Sequence, residues 1–192
     1  APLRSYGALT GRWAAPAQIN LQNLPRGSIL KKAIIAPEGH VIVGADLSAI
    51  ELRMGLYFAG QMEKVKLLGD GTDLYKDFAS SVFDVPYAEI NDDQRFIGKT
   101  SQLSLIYGVG AAKIQSAIKQ GSGKDIGEKE AKRIVDLYRT EYDKVVAAWQ
   151  KGKDVLDYLW ANSGETYGAD GAVERNMFGG GPLRLDVYNI YG

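Results

Sequence analysis

Apolar and polar positions along this chain change period several times, and each change marks an element. Up to about residue 30 no period is visible; Gly, Pro and amide side chains predominate, so an extended or looped stretch is expected. Val41-Ile42-Val43 is a β-branched apolar run that predicts a short buried strand, with Asp46 delivered to its tip through Gly44 and Ala45. Ser48 and Glu51 follow as S-x-x-E, the capping-box spacing, so a helix is predicted to start at once. Its buried face would be Ile50, Met54, Tyr57 and Phe58. After a turn cluster at 69–73, a short helix is predicted over 73–83, with Leu74, Phe78 and Val82 on one face. Asn91 or Asp92 caps the next helix, which runs to about Tyr107. Residues 111–120 read as a short helix and GSGKDIG as a loop. A long helical region then spans about 128–160, its stripe Ile134, Leu137, Tyr138, Val145, Val146 and Trp149, with Gly152 as the expected break. From Glu165, alternation around Gly179-Gly180-Gly181 predicts a β-hairpin.

Composition narrows the class without naming a function. With 192 residues, 45% hydrophobic and 24% charged, the chain suits one domain with a real core or two small lobes. The absence of cysteine excludes disulfides and thiolate metal sites. No apolar run approaches a membrane span and no signal peptide is visible, so no membrane partner is expected. Overall charge balances at 23 basic and 23 acidic residues, but residues 1–37 hold Arg4, Arg12, Arg26, Lys31 and Lys32 and no acid. Such a local excess suits phosphate contact, and equally an ordinary solvated surface. The chain starts at Ala1 and stops at Gly192 just after a strand-like run, which reads as a piece of something larger.

Three places carry candidate chemistry. Asp46 at a strand tip is a common way to hold a metal on a rigid element, although an Asp there also serves as a turn or cap residue. Arg95, Lys99, Leu103 and Tyr107 fall four apart, a stripe about 18 Å long at about 1.5 Å per residue, the reach of an extended nucleoside triphosphate. Two cations four apart early in a helix repel each other and oppose its dipole, a cost that a polyanionic ligand offsets. The plainer alternative pairs Arg95 with Asp92 and leaves Lys99 solvated. Gly98 in mid-helix costs about 1 kcal/mol against Ala, a sign of something packed against the backbone. The third place is Thr10-Gly11-Arg12 with Asn20-Leu21-Gln22-Asn23-Leu24-Pro25-Arg26, whose amides suit minor-groove edges and turns alike. His40, alone of its kind, is given no role. The GSGKD run is not a P-loop, since Ile118 replaces the first Gly and Asp125 the Ser/Thr; Gly108-x-Gly110 follows a helix and not a strand.

Taken together, D-L-S-A-I-E-L-R at 46–53, R-x3-K-x3-L-x3-Y-G at 95–108, and T-G-R followed by N-L-Q-N-L-P resemble the motifs of family A DNA polymerases in kind and in order. The resemblance covers residues 10–110 well and the long helix loosely. It implies that Asp46, with the Leu47 backbone carbonyl, binds two catalytic Mg2+ ions, and that Glu51 blocks the 2′-OH of a ribonucleotide. Arg95 and Lys99 would take the triphosphate, with Lys99 also the proton donor to pyrophosphate. Leu103 and Tyr107 would line the nucleotide, and Gly108 would lie by the nascent base pair. Arg12, Asn20, Gln22 and Asn23 would contact the primer-template. Two positions depart from the family: Leu103 stands for the usual aromatic, and Asp73-Leu74-Tyr75 for a frequent D-I-H. Tyr75 could donate a hydrogen bond there, though packing is the expected role.

The implied fold is α+β and mostly helical, a partial palm with a small antiparallel sheet and helical fingers. Residues 1–57 would be the N-terminal palm part, 58–164 the fingers, and 165–192 a return hairpin. The implied function is template-directed DNA synthesis from dNTP by an incomplete catalytic core, from a phage or bacterial cytoplasm. The alternative is a non-catalytic nucleic-acid-binding module of the same shape. The family's second carboxylate comes from a His-Asp turn that this sequence lacks. Asp186 is the one internal substitute, so the 192 residues alone are expected not to extend a primer. Nothing in the sequence speaks to oligomeric state.

Overall fold

Eight helices and three short strands follow one another along the residues described in a computed structural model: 4–5, 7, 13–15, 24, 28–162, 165–167, 173–176 and 184–187. The helices are α1 (Ile29–Lys32), α2 (Ile50–Ala59), α3 (Met62–Gly69), α4 (Leu74–Phe83), α5 (Asp92–Leu105), α6 (Ala111–Ser122), α7 (Glu128–Glu141) and α8 (Asp143–Ala161). A 3-10 turn at Tyr87–Glu89 links α4 to α5. The strands are β1 (Thr166–Tyr167), β2 (Val173–Asn176) and β3 (Arg184–Val187), neighbours in that order, with Thr166 opposite Glu174 and Tyr167 opposite Val173 in an antiparallel pair. The expected strands after Glu165 are therefore present, and the Gly179-Gly180-Gly181 turn lies outside the described residues.

The chain divides into two units, one of Ala1–Asp46, Thr166–Glu174 and Asp186–Gly192, the other of Leu47–Glu165 and Arg175–Leu185. In the first, Arg4 and Ala14 exchange both backbone hydrogen bonds, and Ser28 caps α1 by accepting from the Lys31 N–H at 3.2 Å. Val41, Ile42 and Val43 do not form the predicted buried strand: they pair with no strand among the described residues and are 84%, 62% and 86% exposed. A strand exists only where a neighbour takes up its N–H and C=O groups. Among the described residues none lies alongside this run.

The second unit holds the core. Leu52 and Leu56 of α2, Leu74 and Phe78 of α4, Leu105 of α5, Ile114 and Ile118 of α6, and Ile134 and Tyr138 of α7 are fully or almost fully buried together. Aromatic rings fill its centre. Tyr138 stacks on Tyr142 at 4.3 Å between centroids, and Phe78 meets both rings edge-on. Gln102, buried in α5, donates to the Leu74 carbonyl at 2.8 Å and to the Tyr142 hydroxyl at 2.6 Å, so one amide ties α5 to α4 and to the α7–α8 junction.

Two expectations about helix faces and ends are corrected here. The buried face of α2 is Leu52 and Leu56, while Ile50, Met54, Tyr57 and Phe58 point outward, Phe58 at 76% exposure. IELRMGLYFA is apolar nearly all round, so period alone could not choose the inner face. Packing chose it: Gly55 lets the Ile106 side chain come within 2.7 Å of where a Cβ would stand. The long helical region is two helices that break at Tyr142 (φ −118°, ψ 50°), not at Gly152, which lies inside α8. Burying the Tyr142 ring in the aromatic stack outweighs the helix continuity lost there.

Candidate nucleotide site

Helix α5 begins where the sequence placed it. The Asn91 side chain accepts from the Gln94 N–H at 3.0 Å and the Gln94 side chain accepts from the Asn91 N–H at 3.1 Å, a complete capping box. The Arg95–Lys99–Leu103–Tyr107 stripe runs from this end to just beyond the last turn. Arg95 is not paired with Asp92. Its Nε donates instead to Asp73 Oδ2 at 2.6 Å, and Asp73 also caps α4 by accepting from the Tyr75 and Lys76 N–H groups. Lys99 has no carboxylate within ion-pair distance among the described residues. Beneath both cations lies the Tyr75 ring, with its centroid 5.6 Å from the Arg95 guanidinium carbon and 5.9 Å from Lys99 Nζ. Burial pushes the Tyr75 hydroxyl pKa up, the Asp73 carboxylate adds to the rise, and Arg95 opposes it.

Gly98 explains how α4 comes so near. A Cβ there would collide with the Tyr75 carbonyl oxygen and stand 3.0 Å from the Ala79 Cβ. The mid-helix glycine is therefore a contact surface for the backbone of α4, and its propensity cost is offset by that close approach.

At the other end of the stripe, the Tyr107 hydroxyl donates to Glu51 Oε2 at 3.3 Å, across 56 residues of sequence. The two flank a shallow pocket of about 370 Å³, otherwise lined by Ile50, Met54, Gly55 and Ile106. Gly108 follows in the left-handed region (φ 73°), with the Trp149 ring 3.6 Å from where its Cβ would be; the Trp149 indole N–H bonds the Ile106 carbonyl at 3.1 Å. Leu103 is half-buried and packs on the core.

Glu51 is not the capping partner of Ser48. Helix α2 is preceded by Ala49 in the left-handed region (φ 51°, ψ 35°), with no side-chain cap. What fixes this turn is Arg53, whose Nε donates to the Ser48 carbonyl at 3.0 Å and whose Nη2 donates to the Leu68 carbonyl at 3.3 Å. Freed from capping, the Glu51 carboxylate faces Tyr107. A second cavity, of about 290 Å³, opens among Ser48, Arg53, Asp73, Tyr75 and Arg95.

Asp46 and Leu47 are exposed on the non-helical segment before α2. A carboxylate and a backbone carbonyl are hard oxygen donors of the kind Mg2+ prefers. Among the described residues no group of three or more His, Cys, Asp or Glu side chains gathers, so Asp46 offers one carboxylate and not a cage. Arg12, Asn20, Gln22 and Asn23 lie outside the described residues, as does the side chain of Asp186. His40 is exposed, and its Nδ1 lies 3.0 Å from the Glu38 carbonyl oxygen. No helix among the described residues is long and apolar enough to cross a membrane.

Sequence reasoning missed Asp73 as the partner of Arg95 and Arg53 as the clamp of the turn. Both act across loops, 22 and 15 residues from their partners, where no periodicity connects them. The one signal for Asp73 was its place as the cap of a helix that packs on α5.

The model for DNA polymerase family A matches residues 3–156. The chain belongs to DNA polymerase family A. Among its relatives in that family, DNA polymerase I of Pseudomonas aeruginosa is 33% identical over 150 residues, 75% of this chain and 15% of the relative. Thermostable DNA polymerase I of Thermus aquaticus is 30% identical over 144 residues, 73% of this chain and 16% of the relative. DNA polymerase I of Aquifex aeolicus is 28% identical over 165 residues, 86% and 28% of the two chains. This family A chain thus spans a minor part of these relatives' length. The polymerase domain of Pol1 from M. smegmatis, solved in complex with DNA primer-template and dNTP, shares the fold with a TM-score of 0.64. Its identity is 23%, over 96% of this chain and 30% of that one.

Proposed function

We propose that this family A chain supplies the nucleotide seat of a template-directed DNA polymerase. The observation that carries the reading is the contact between Tyr107 and Glu51, 3.3 Å apart at a shared pocket. It joins the ends of two motifs, on α2 and just after α5, and sets both polar side chains at the rim of one pocket. Arg95 and Lys99 bind the triphosphate of a dNTP. Lys99, free of any carboxylate among the described residues, holds a proton at Nζ for the oxygen of the departing pyrophosphate. Glu51 and Tyr107 close the sugar side of the pocket, so a 2′-OH meets the carboxylate and a deoxyribose does not. Leu103 packs on the sugar without stacking.

Asp46 and the Leu47 carbonyl offer oxygens to Mg2+, with further ligands required from outside these two residues. Two such ions, when bound, stabilise the attacking and leaving oxygens of the transfer. Arg12, Asn20, Gln22, Asn23 and Gly108 contact the primer-template in this reading. The palm and fingers divide as 1–57 with 165–192, and 58–164.

Lys99→Ala tests the reading in the complete polymerase. Single-turnover incorporation should fall by about 10²–10⁴-fold, the usual worth of a positioned general acid. An unchanged rate removes Lys99 from the chemistry, whereas absence of incorporation by the parent protein itself, with primer-template binding retained, favours a module that only binds nucleic acid.

A further inference from the structure

We propose that Tyr75 is a positioning residue for the triphosphate, its ring serving as a fixed platform that presets both Arg95 and Lys99. The proposal rests on the reading of the stripe as the triphosphate seat and goes beyond it by assigning a residue that does not itself bind phosphate.

Two cations, Arg95 and Lys99, share one face of α5. Four residues apart on one helix face, they repel each other, and each sits on a long stem with many rotamers. A carboxylate partner would hold such a side chain but would also neutralise it. Asp73 does this for Arg95, at 2.6 Å. Lys99 has no such partner among the described residues; what lies near it is the Tyr75 ring, 5.9 Å from Nζ, with Arg95 5.6 Å from the same ring. An aromatic face attracts a cation through its quadrupole and carries no net charge. It can therefore order a lysine and leave its full charge for an incoming anion.

The platform is also rigid. Tyr75 is buried, its N–H is held by Asp73 Oδ1 at 3.0 Å, and its carbonyl packs directly on Gly98 of α5. The backbone that carries the ring is thus fixed against the helix that bears the cations. The cavity of about 290 Å³ bounded by Asp73, Tyr75 and Arg95 gives an anionic tail room to reach Arg95 at the ring's edge. The ligand class is the triphosphate of a nucleotide.

The test uses the complete polymerase and separates dNTP affinity from the maximal incorporation rate. Tyr75→Leu should weaken dNTP binding by about 10-fold, with the maximal rate changed far less, and Tyr75→Phe should stay within about twofold of the parent. Graded ring fluorination at a Phe in position 75 keeps the shape while draining the face of negative charge, so it guards against a leucine variant that folds poorly. Affinity should fall step by step with fluorine count. A flat fluorine series with a folded protein overturns the proposal, as does Tyr75→Phe falling as far as Tyr75→Leu, which would assign the effect to the hydroxyl. Arg95→Ala and Lys99→Ala run in parallel. If these leave dNTP affinity intact, the triphosphate seat itself is wrong. If they lose it while the Tyr75 series is flat, only the platform fails.

Discussion

Glu51 sets apart two explanations that the sequence alone left joined. As a capping partner its loss would cost roughly 0.5–2 kcal/mol of stability. The structure gives the cap to no side chain and aims the carboxylate at Tyr107. Glu51→Ala should therefore raise ribonucleotide incorporation relative to dNTP and shift stability by less than about 0.5 kcal/mol. Thermal unfolding and competitive single-nucleotide insertion on the same variant decide the matter. A large loss of stability with sugar choice unchanged would restore the capping role.

Helix α5 packs on α4 through its backbone at Gly98 as well as through its side chains. Gly98→Ala would drive a methyl into the Tyr75 carbonyl and against Ala79, so it should destabilise by about 1–3 kcal/mol although alanine favours helix. A gain in thermal midpoint would mean that α4 and α5 sit farther apart than described. The same helix shows what was legible. Its cap, its stripe and the tight contact at Gly98 could be read from one stretch, because local hydrogen bonding and a 3.6-residue period encode them. The short helix α4, with Leu74, Phe78 and Val82 inward, was equally readable. Helix α2 was not, since apolar residues surround it and only its neighbours choose between Leu52 with Leu56 and the outward set. The strand expected at 41–43 failed for a related reason: a strand is a property of a pair, and the run itself holds half the information. The turn at Ala49 was missed because its clamp, Arg53, reaches the end of α3 through the fold and not along the chain.

At the scale of the whole molecule, the outward face of α2 leaves Ile50, Met54, Tyr57 and Phe58 in water. Exposed apolar surface of this kind contributes nothing to folding of the chain that bears it. A Met54→Gln, Phe58→Gln double variant of the 192-residue chain should keep its thermal midpoint within a few degrees and bind less of a hydrophobic dye. Were the face buried, the pair would cost about 1.5–3 kcal/mol per side chain and the midpoint would collapse. One consequence of Gly98 reaches furthest. Where α5 rests on the Tyr75 carbonyl, only the Ala79 methyl stands beside the contact, so the two backbones meet almost directly. A movement of α5 as a rigid body would carry the first turn of α4 with it, keeping the Tyr75 ring beneath Arg95 and Lys99 throughout, as a stiff lever does.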